Sequence, residues 1–376
     1  MKFTSVFALI ALVLFSGCGT TRSKTSANTK EDVLGIINKV NTHWQQNNAP
    51  RNAFWDEAAY QTANMEAYFV TGNPEYKAYA ERWAQKNNWK GATSNNKAEW
   101  KYSYGEKPAY VLFGDWQVCF QTYIDLYNLD EVKDSKKIAR ALEVMQYQMS
   151  TSNNDYWWWA DGLYMAMPVM TKLYKLTGDK HYLDKMYEYF VFADDLMFDK
   201  EAHLYYRDGK YIYPKHKTDR GFKDFWARGD GWVFAGLAKV LADLPKDYQH
   251  YDLFLTRFKQ MAKALSATQQ AEGYWTRSIL DPQQAPGPET SGTAFIAYGY
   301  LWGMNNGILD KATYKPVSQK AWKYLTEVAL QPDGDIGYVQ PIGEKAIPGQ
   351  VVDQNSTSNF GVGAFLLAAC EMYRSL

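Results

Sequence analysis

Cysteine and histidine are scarce in this chain, with three Cys and five His in 376 residues. Cys119 and Cys370 stand far apart in apolar surroundings, too few for a disulfide framework, and read as buried free thiols. The histidines, at positions 43, 181, 203, 216 and 250, show no metal-ligand spacing, so no metal or other cofactor is expected. An excess of one charge is also lacking. Lys+Arg and Asp+Glu number 41 each and no basic tract occurs, which argues against nucleic acid as a partner. There is no Gly-Xaa-Ser-Xaa-Gly elbow and no phosphate-binding loop. Gly361-Val362-Gly363 lacks the preceding strand that a dinucleotide fold requires. The apolar run at residues 6–15 is too short to span a bilayer.

That run instead has the form of an export signal behind Lys2. Phe15-Ser16-Gly17-Cys18 follows and resembles a bacterial lipobox, with Phe where Leu is usual. The expected organisation is a signal peptide over residues 1–17 and a polar tether over 18–30, lipidated at Cys18. One catalytic domain then fills 31–376. The chain is expected to be an exported bacterial lipoprotein of the periplasm or outer membrane. A cleaved secretory peptide with no role for Cys18 is the alternative.

What the chain does contain is a recurring helix start. A polar residue leads into an apolar, helically spaced stretch at Asp56, Asp115, Asp161, Asp230, Thr290/Ser291 and Ser356/Ser358. The spacing averages roughly 60 residues, room for one helical hairpin per step. Leu173 to Tyr182 repeats Ala67 to Tyr76 in outline, with Gly72 and Gly178 placed as left-handed helix ends before a return helix. Pro168 is expected to kink or weaken the helix after Asp161, and Asp130 to open a return helix. Six hairpins and no clear strand pattern predict an all-α (α/α)6 toroid. Its longer loops, at 90–113, 203–225, 273–289 and 331–354, would gather at the mouth where the capped helices begin. A small β-hairpin is expected across 205–213.

Aromatics make up 16% of the chain and cluster beside charge at that mouth. In Trp157-Trp158-Trp159-Ala160-Asp161-Gly162, apolar walls raise the pKa of Asp161 while a helix N-terminus lowers it. A second carboxylate such as Asp115 would raise one of the pair further. If the rise prevails, Asp161 is a general acid near neutral pH; otherwise it is a helix cap. In Phe225-Trp226-Ala227-Arg228-Gly229-Asp230-Gly231-Trp232, the Arg228 fork is suited to a sugar carboxylate and the indoles to stacking on a ring. Internal pairing of Arg228 with an Asp is the alternative. Thr290 and Ser291 read foremost as capping hydroxyls.

These two segments resemble the unsaturated uronyl hydrolases of glycoside hydrolase families 88 and 105. The resemblance implies an (α/α)6 barrel that removes a 4,5-unsaturated uronic acid from the non-reducing end of lyase-generated oligosaccharides. In that chemistry an Asp protonates C4 of the enol ether, water adds at C5, and the hemiketal opens to release the neighbouring sugar. One carboxyl group serves as acid and then as base, so the two-carboxylate spacing of ordinary glycosidases does not apply. Carried over by position, Asp161 is the acid and Asp115 supports it. Trp159, Trp226, Arg228 and Trp232 contact substrate. The Asp230 position is commonly Asn in such proteins. A His is common near Tyr206, where this chain has Arg207, suited to carboxylate or sulfate. The expected partner is an oligosaccharide ending in unsaturated uronate, of a uronate-rhamnose type such as ulvan or rhamnogalacturonan. The rivals are a glycan-binding lipoprotein without catalysis and a polysaccharide lyase using Tyr206 with Arg207.

Overall fold

The structure, a computed structural model, describes residues 27–376. The expected signal peptide, Cys18 and most of the tether lie outside these residues. Its last few residues already belong to the folded domain: Trp322 Nε1 donates to the Ala27 carbonyl at 3.0 Å, and Thr29 caps the first helix.

Twelve α-helices follow: α1 (Lys30–Asn47), α2 (Trp55–Thr71), α3 (Pro74–Lys86), α4 (Cys119–Leu129), α5 (Lys136–Ser150), α6 (Ala160–Thr177), α7 (His181–Met197), α8 (Ala227–Asp243), α9 (Tyr251–Ser266), α10 (Thr290–Asn305), α11 (Lys311–Tyr324) and α12 (Asn359–Ser375). The even-numbered helices form the inner ring. α2 packs on α4, α4 on α6, α6 on α8, α8 on α10, α10 on α12, and α12 returns to α2. The odd-numbered helices lie outside, each against an inner neighbour, and α1 closes the sixth pair against α12. The result is the expected (α/α)6 toroid.

Sequence explains which helices lie inside. The α10 segment Thr290–Met304 is buried on every side and carries no charged residue, as a helix enclosed by others must be. α5 buries only Ile138, Arg140, Ala141, Val144, Met145, Gln148 and Met149, one stripe of an amphipathic outer helix. Gly72 and Gly178 end α2 and α6 at φ 67° and 74°, each donating its N–H to a carbonyl four residues back at 2.8 Å. A side chain there would be strained, which is why glycine stops both helices. The five connections leaving inner helices are short, and four of the six entering them, before α4, α8, α10 and α12, are long, so the long loops collect over the N-terminal end of the inner ring.

Three local expectations are corrected. The polar residues at the inner helix starts are mostly not caps. The cap positions are held by Phe54, Val118, Trp159, Trp226, Glu289 and Ser358, and of these only Glu289 accepts a side-chain capping bond. The carboxylates at Asp56, Asp161 and Asp230 stand instead in the first helical turn. Asp130 ends α4 rather than opening α5, which begins at Lys136 where Asp134 Oδ1 accepts from its N–H. The hairpin lies upstream of its expected place, pairing Phe198–Asp199 with Leu204–Tyr205. Pro168 lies within α6 as expected, and the helix continues past it to Thr177, packed on α7 and α8.

Candidate active site

Asp161 occupies the second position of α6, and its backbone context sets its direction. The strand-like bridge of Trp159 with Asp208, and the Ala160 N–H donating to the Arg207 carbonyl at 2.8 Å, lay residues 207–208 alongside the helix start. Arg207 is thereby placed over Asp161, with Nε 3.6 Å from Oδ2. Both atoms are buried and without a hydrogen-bond partner in the protein. Asp115 comes from the 3₁₀ turn Gly114–Trp116 before α4 and is also buried. Trp159 packs against the glycines next to both aspartates. Its ring lies against Gly114 and Gly162, where an added methyl group would approach to 3.1 Å. Gly162 is therefore small because an indole occupies its space.

The electrostatics follow from this placement. Burial raises the pKa of Asp161; the charges of Arg207 and Arg228 oppose the rise without cancelling it. Burial raises Asp115 well above the carboxylate range, with further upward pressure from Asp161. Two carboxyl groups thus act on each other by charge in a desolvated mouth, and the one paired with Arg207 ionises more readily. Such divergent environments separate the roles of paired acids.

The other expected contacts are placed differently. Arg228 is 1% exposed and lies between the rings of Trp226 and Phe360, at 4.5 and 4.8 Å from their centroids. Its Nη1 and Nη2 donate to the carbonyls of Gln340 and Pro341 at 2.7 and 2.9 Å, so it anchors the α11–α12 loop. Trp226 is likewise committed, donating Nε1 to Gln340 Oε1 at 2.8 Å. Trp232 is fully buried among Trp55, Tyr164 and Phe295, deeper in the inner ring. Asp161, Asp115 and Arg207 are brought together, with Arg228 near enough to act on Asp161 by charge. Trp226 and Trp232 are not at this surface. Thr290 bonds Tyr324 and the Gly337 carbonyl, and Ser291 bonds Glu289; both hydroxyls are internal.

Sequence reasoning missed several neighbours. Trp158, not Trp159, is the half-buried indole of the triplet, and it lies 5.9 Å from the Arg207 guanidinium. Asp208 and Glu344 both accept from Arg207 Nη1, at 2.7 and 3.3 Å. Asp230 accepts from the Tyr205 N–H at 2.8 Å, and its other oxygen is buried without a partner. Burial raises its pKa well above the usual value, which favours the neutral form, the one closer in chemistry to an asparagine. His216 pairs with Asp224 at 2.7 Å. Among the described residues no group of three or more His, Cys, Asp or Glu side chains is placed to hold a metal ion.

A helical toroid with two desolvated carboxyl groups at its mouth has counterparts among known proteins. The model of glycosyl hydrolase family 88 matches residues 29–376. The chain belongs to that family. An unsaturated 3S-rhamnoglycuronyl hydrolase of Formosa agariphila is 33% identical over 334 residues, covering 85% of this chain and 84% of the relative. A solved family 88 glycosyl hydrolase from Bacteroides vulgatus is 60% identical with a TM-score of 0.91, covering 93% of this chain and 100% of that one. A solved chain named as a polysaccharide lyase is 67% identical with a TM-score of 0.90, covering 92% and 97%. This family 88 member is a hydrolase of glycosidic bonds, of the unsaturated uronyl type, as the two motifs implied.

Proposed function

We propose that the enzyme trims the unsaturated uronic acid from lyase products of a uronate-rhamnose polysaccharide, ulvan or a rhamnogalacturonan, with Asp161 as the acid. The single observation that carries the chemistry is the Asp161 carboxyl: largely buried, raised in pKa, and keeping one oxygen free of hydrogen-bond partners in the protein, with only the Arg207 guanidinium beside it. A carboxyl so held can donate its proton to C4 of the enol ether. The positive character then left at C5 is met by water, whose proton returns to the ionised Asp161. The C5 hemiketal opens, the C1–O bond breaks, and one water is consumed. Arg207 steadies the carboxylate formed midway. Burial holds Asp115 toward its neutral form more strongly than Asp161, which spares Asp161 a second negative charge beside it.

Substrate class is supported by the Formosa agariphila relative, whose name specifies a rhamnoglycuronyl hydrolase, and by the cationic Arg207 at the mouth. Export and lipid attachment at Cys18, over residues outside those described, would put the enzyme where polysaccharide fragments arrive.

The lyase name of one similar structure makes elimination the second reading. Tyr206, its candidate base, donates to Asp199 at 2.7 Å, and burial raises its pKa, so it is not poised to take a proton. The test is the ultraviolet absorbance of the conjugated double bond when enzyme meets lyase-treated glycan. Hydrolysis makes it fall. A rise would select the lyase, and no change on any unsaturated uronide would defeat both.

A further inference from the structure

The α11–α12 loop reaches over the mouth and ends a charged network there. Its root is fixed where Arg228 holds the Gln340 and Pro341 carbonyls. A few residues on, Glu344 extends its carboxylate to three groups of the α7–α8 loop. Tyr211 Oη donates to Oε1 at 2.7 Å, and Lys210 Nζ and Arg207 Nη1 approach Oε2 at 3.1 and 3.3 Å. This carboxylate rests on the same guanidinium whose Nε faces Asp161. No more than one guanidinium group separates it from the acid.

We propose that Arg207, Lys210 and Tyr211 form an anion subsite beside Asp161, filled by Glu344 as an internal stand-in until the substrate's own anionic group replaces it. The inference rests on the hydrolase reading above and adds to it a recognition device. With Asp161 protonated, as the acid must be before turnover, the two cations Arg207 and Lys210 are balanced by Asp208 and Glu344. Asp208 is buried and cannot leave: it also accepts the Lys210 N–H at 2.7 Å. The Glu344 side chain is 43% exposed and is free to swing outward by rotation about its own bonds. Its departure leaves one net positive charge, a phenol donor and a planar fork, which together match a carboxylate or a sulfate ester. The geometry favours Arg207 over Arg228 for this task. Arg228 spends both terminal nitrogens on loop carbonyls and is almost wholly enclosed, whereas Arg207 is only partly buried and faces the reacting carboxyl. The substrate's anion then competes with a weak internal ligand, which lowers affinity for any sugar lacking that charge.

The test is Glu344→Gln and Lys210→Met, assayed on an unsaturated uronate-rhamnose disaccharide with and without a sulfate ester. Removing the stand-in's charge is expected to lower KM by about three- to tenfold, with kcat moving less, because a charge-assisted competitor is lost. Lys210→Met is expected to raise KM on the same substrates. A fall in KM on both disaccharides assigns the subsite to the uronate carboxylate, and a fall on the sulfated one alone assigns it to the ester. An unchanged or raised KM in Glu344→Gln overturns the proposal. If wild type turns over no unsaturated uronide, the hydrolase reading is at fault. The subsite is then decided by calorimetric titration with inorganic sulfate at fixed ionic strength. Tighter binding to Glu344→Gln than to wild type supports it, and equal or absent binding overturns it.

Discussion

Replacing Arg207 by Met should move the alkaline limb of the kcat–pH profile upward. Turnover requires Asp161 to hold its proton, so activity falls as pH rises through the pKa of Asp161. Burial pushes that pKa up while Arg207 pulls it down by favouring the ionised form. Removing the guanidinium therefore raises the pKa, and the limb shifts to higher pH. At the observed 3.6 Å, two unit charges in an effective dielectric of about 20 interact by about 4–5 kcal/mol, near three pKa units. Much of that is diverted, since Asp208 and Glu344 hold the same guanidinium at 2.7 and 3.3 Å. Arg228 continues to act on Asp161 in the variant. The net expectation is a shift of about one unit. The assay is kcat against pH at saturating unsaturated disaccharide, followed by loss of enol-ether absorbance, with circular dichroism confirming the fold. A limb that stays in place or moves to lower pH would refute the assignment of Arg207 and Asp161 as an interacting pair.

Other expectations concern stability. Asp230→Asn keeps the acceptor for the Tyr205 N–H and removes a carboxyl whose folded pKa lies well above its unfolded one. Wild type loses stability as pH climbs from the ordinary carboxylate range toward that raised value. The variant should therefore melt higher than wild type at neutral pH and equally at strongly acid pH, as thermal unfolding across pH would show. Gly292→Ala would put a methyl carbon 2.7 Å from the Ala227 carbonyl carbon and 2.9 Å from the Arg228 nitrogen, where α8 and α10 meet. Because backbone cannot yield as a side chain does, a loss of about 1–3 kcal/mol in urea unfolding is expected.

Much of the architecture was legible because its signals are local. The roughly 60-residue spacing of helix starts, and the left-handed glycines at 72 and 178, depend on residues a few positions apart. Asp115 and Asp161 were likewise visible as polar residues at the edge of aromatic runs. What was hidden depends on distant partners. Glu344 meets Arg207 across 137 positions, and no local pattern announces that pairing. The donors of Arg228 were expected to face a sugar, yet carbonyls 112 and 113 positions away take them. Trp158 and Trp159 differ in exposure only because Gly114 and Gly162 leave a slot for one of them. The supposed caps failed for a related reason. At four of the six inner helix starts an aromatic or aliphatic residue takes the cap position with no side-chain bond, and the nearby carboxylate, at Asp56, Asp115, Asp161 or Asp230, serves another segment or the mouth.

The sharpest test of the account is the turnover of Asp161→Asn on the substrate that wild type consumes fastest. An amide has no proton to give to C4 and no lone charge to take one from water. Absorbance loss should slow by at least about a thousandfold while the melting temperature and substrate binding are kept. Turnover within a few fold of wild type would show that the proton comes from elsewhere and would contradict the mechanism.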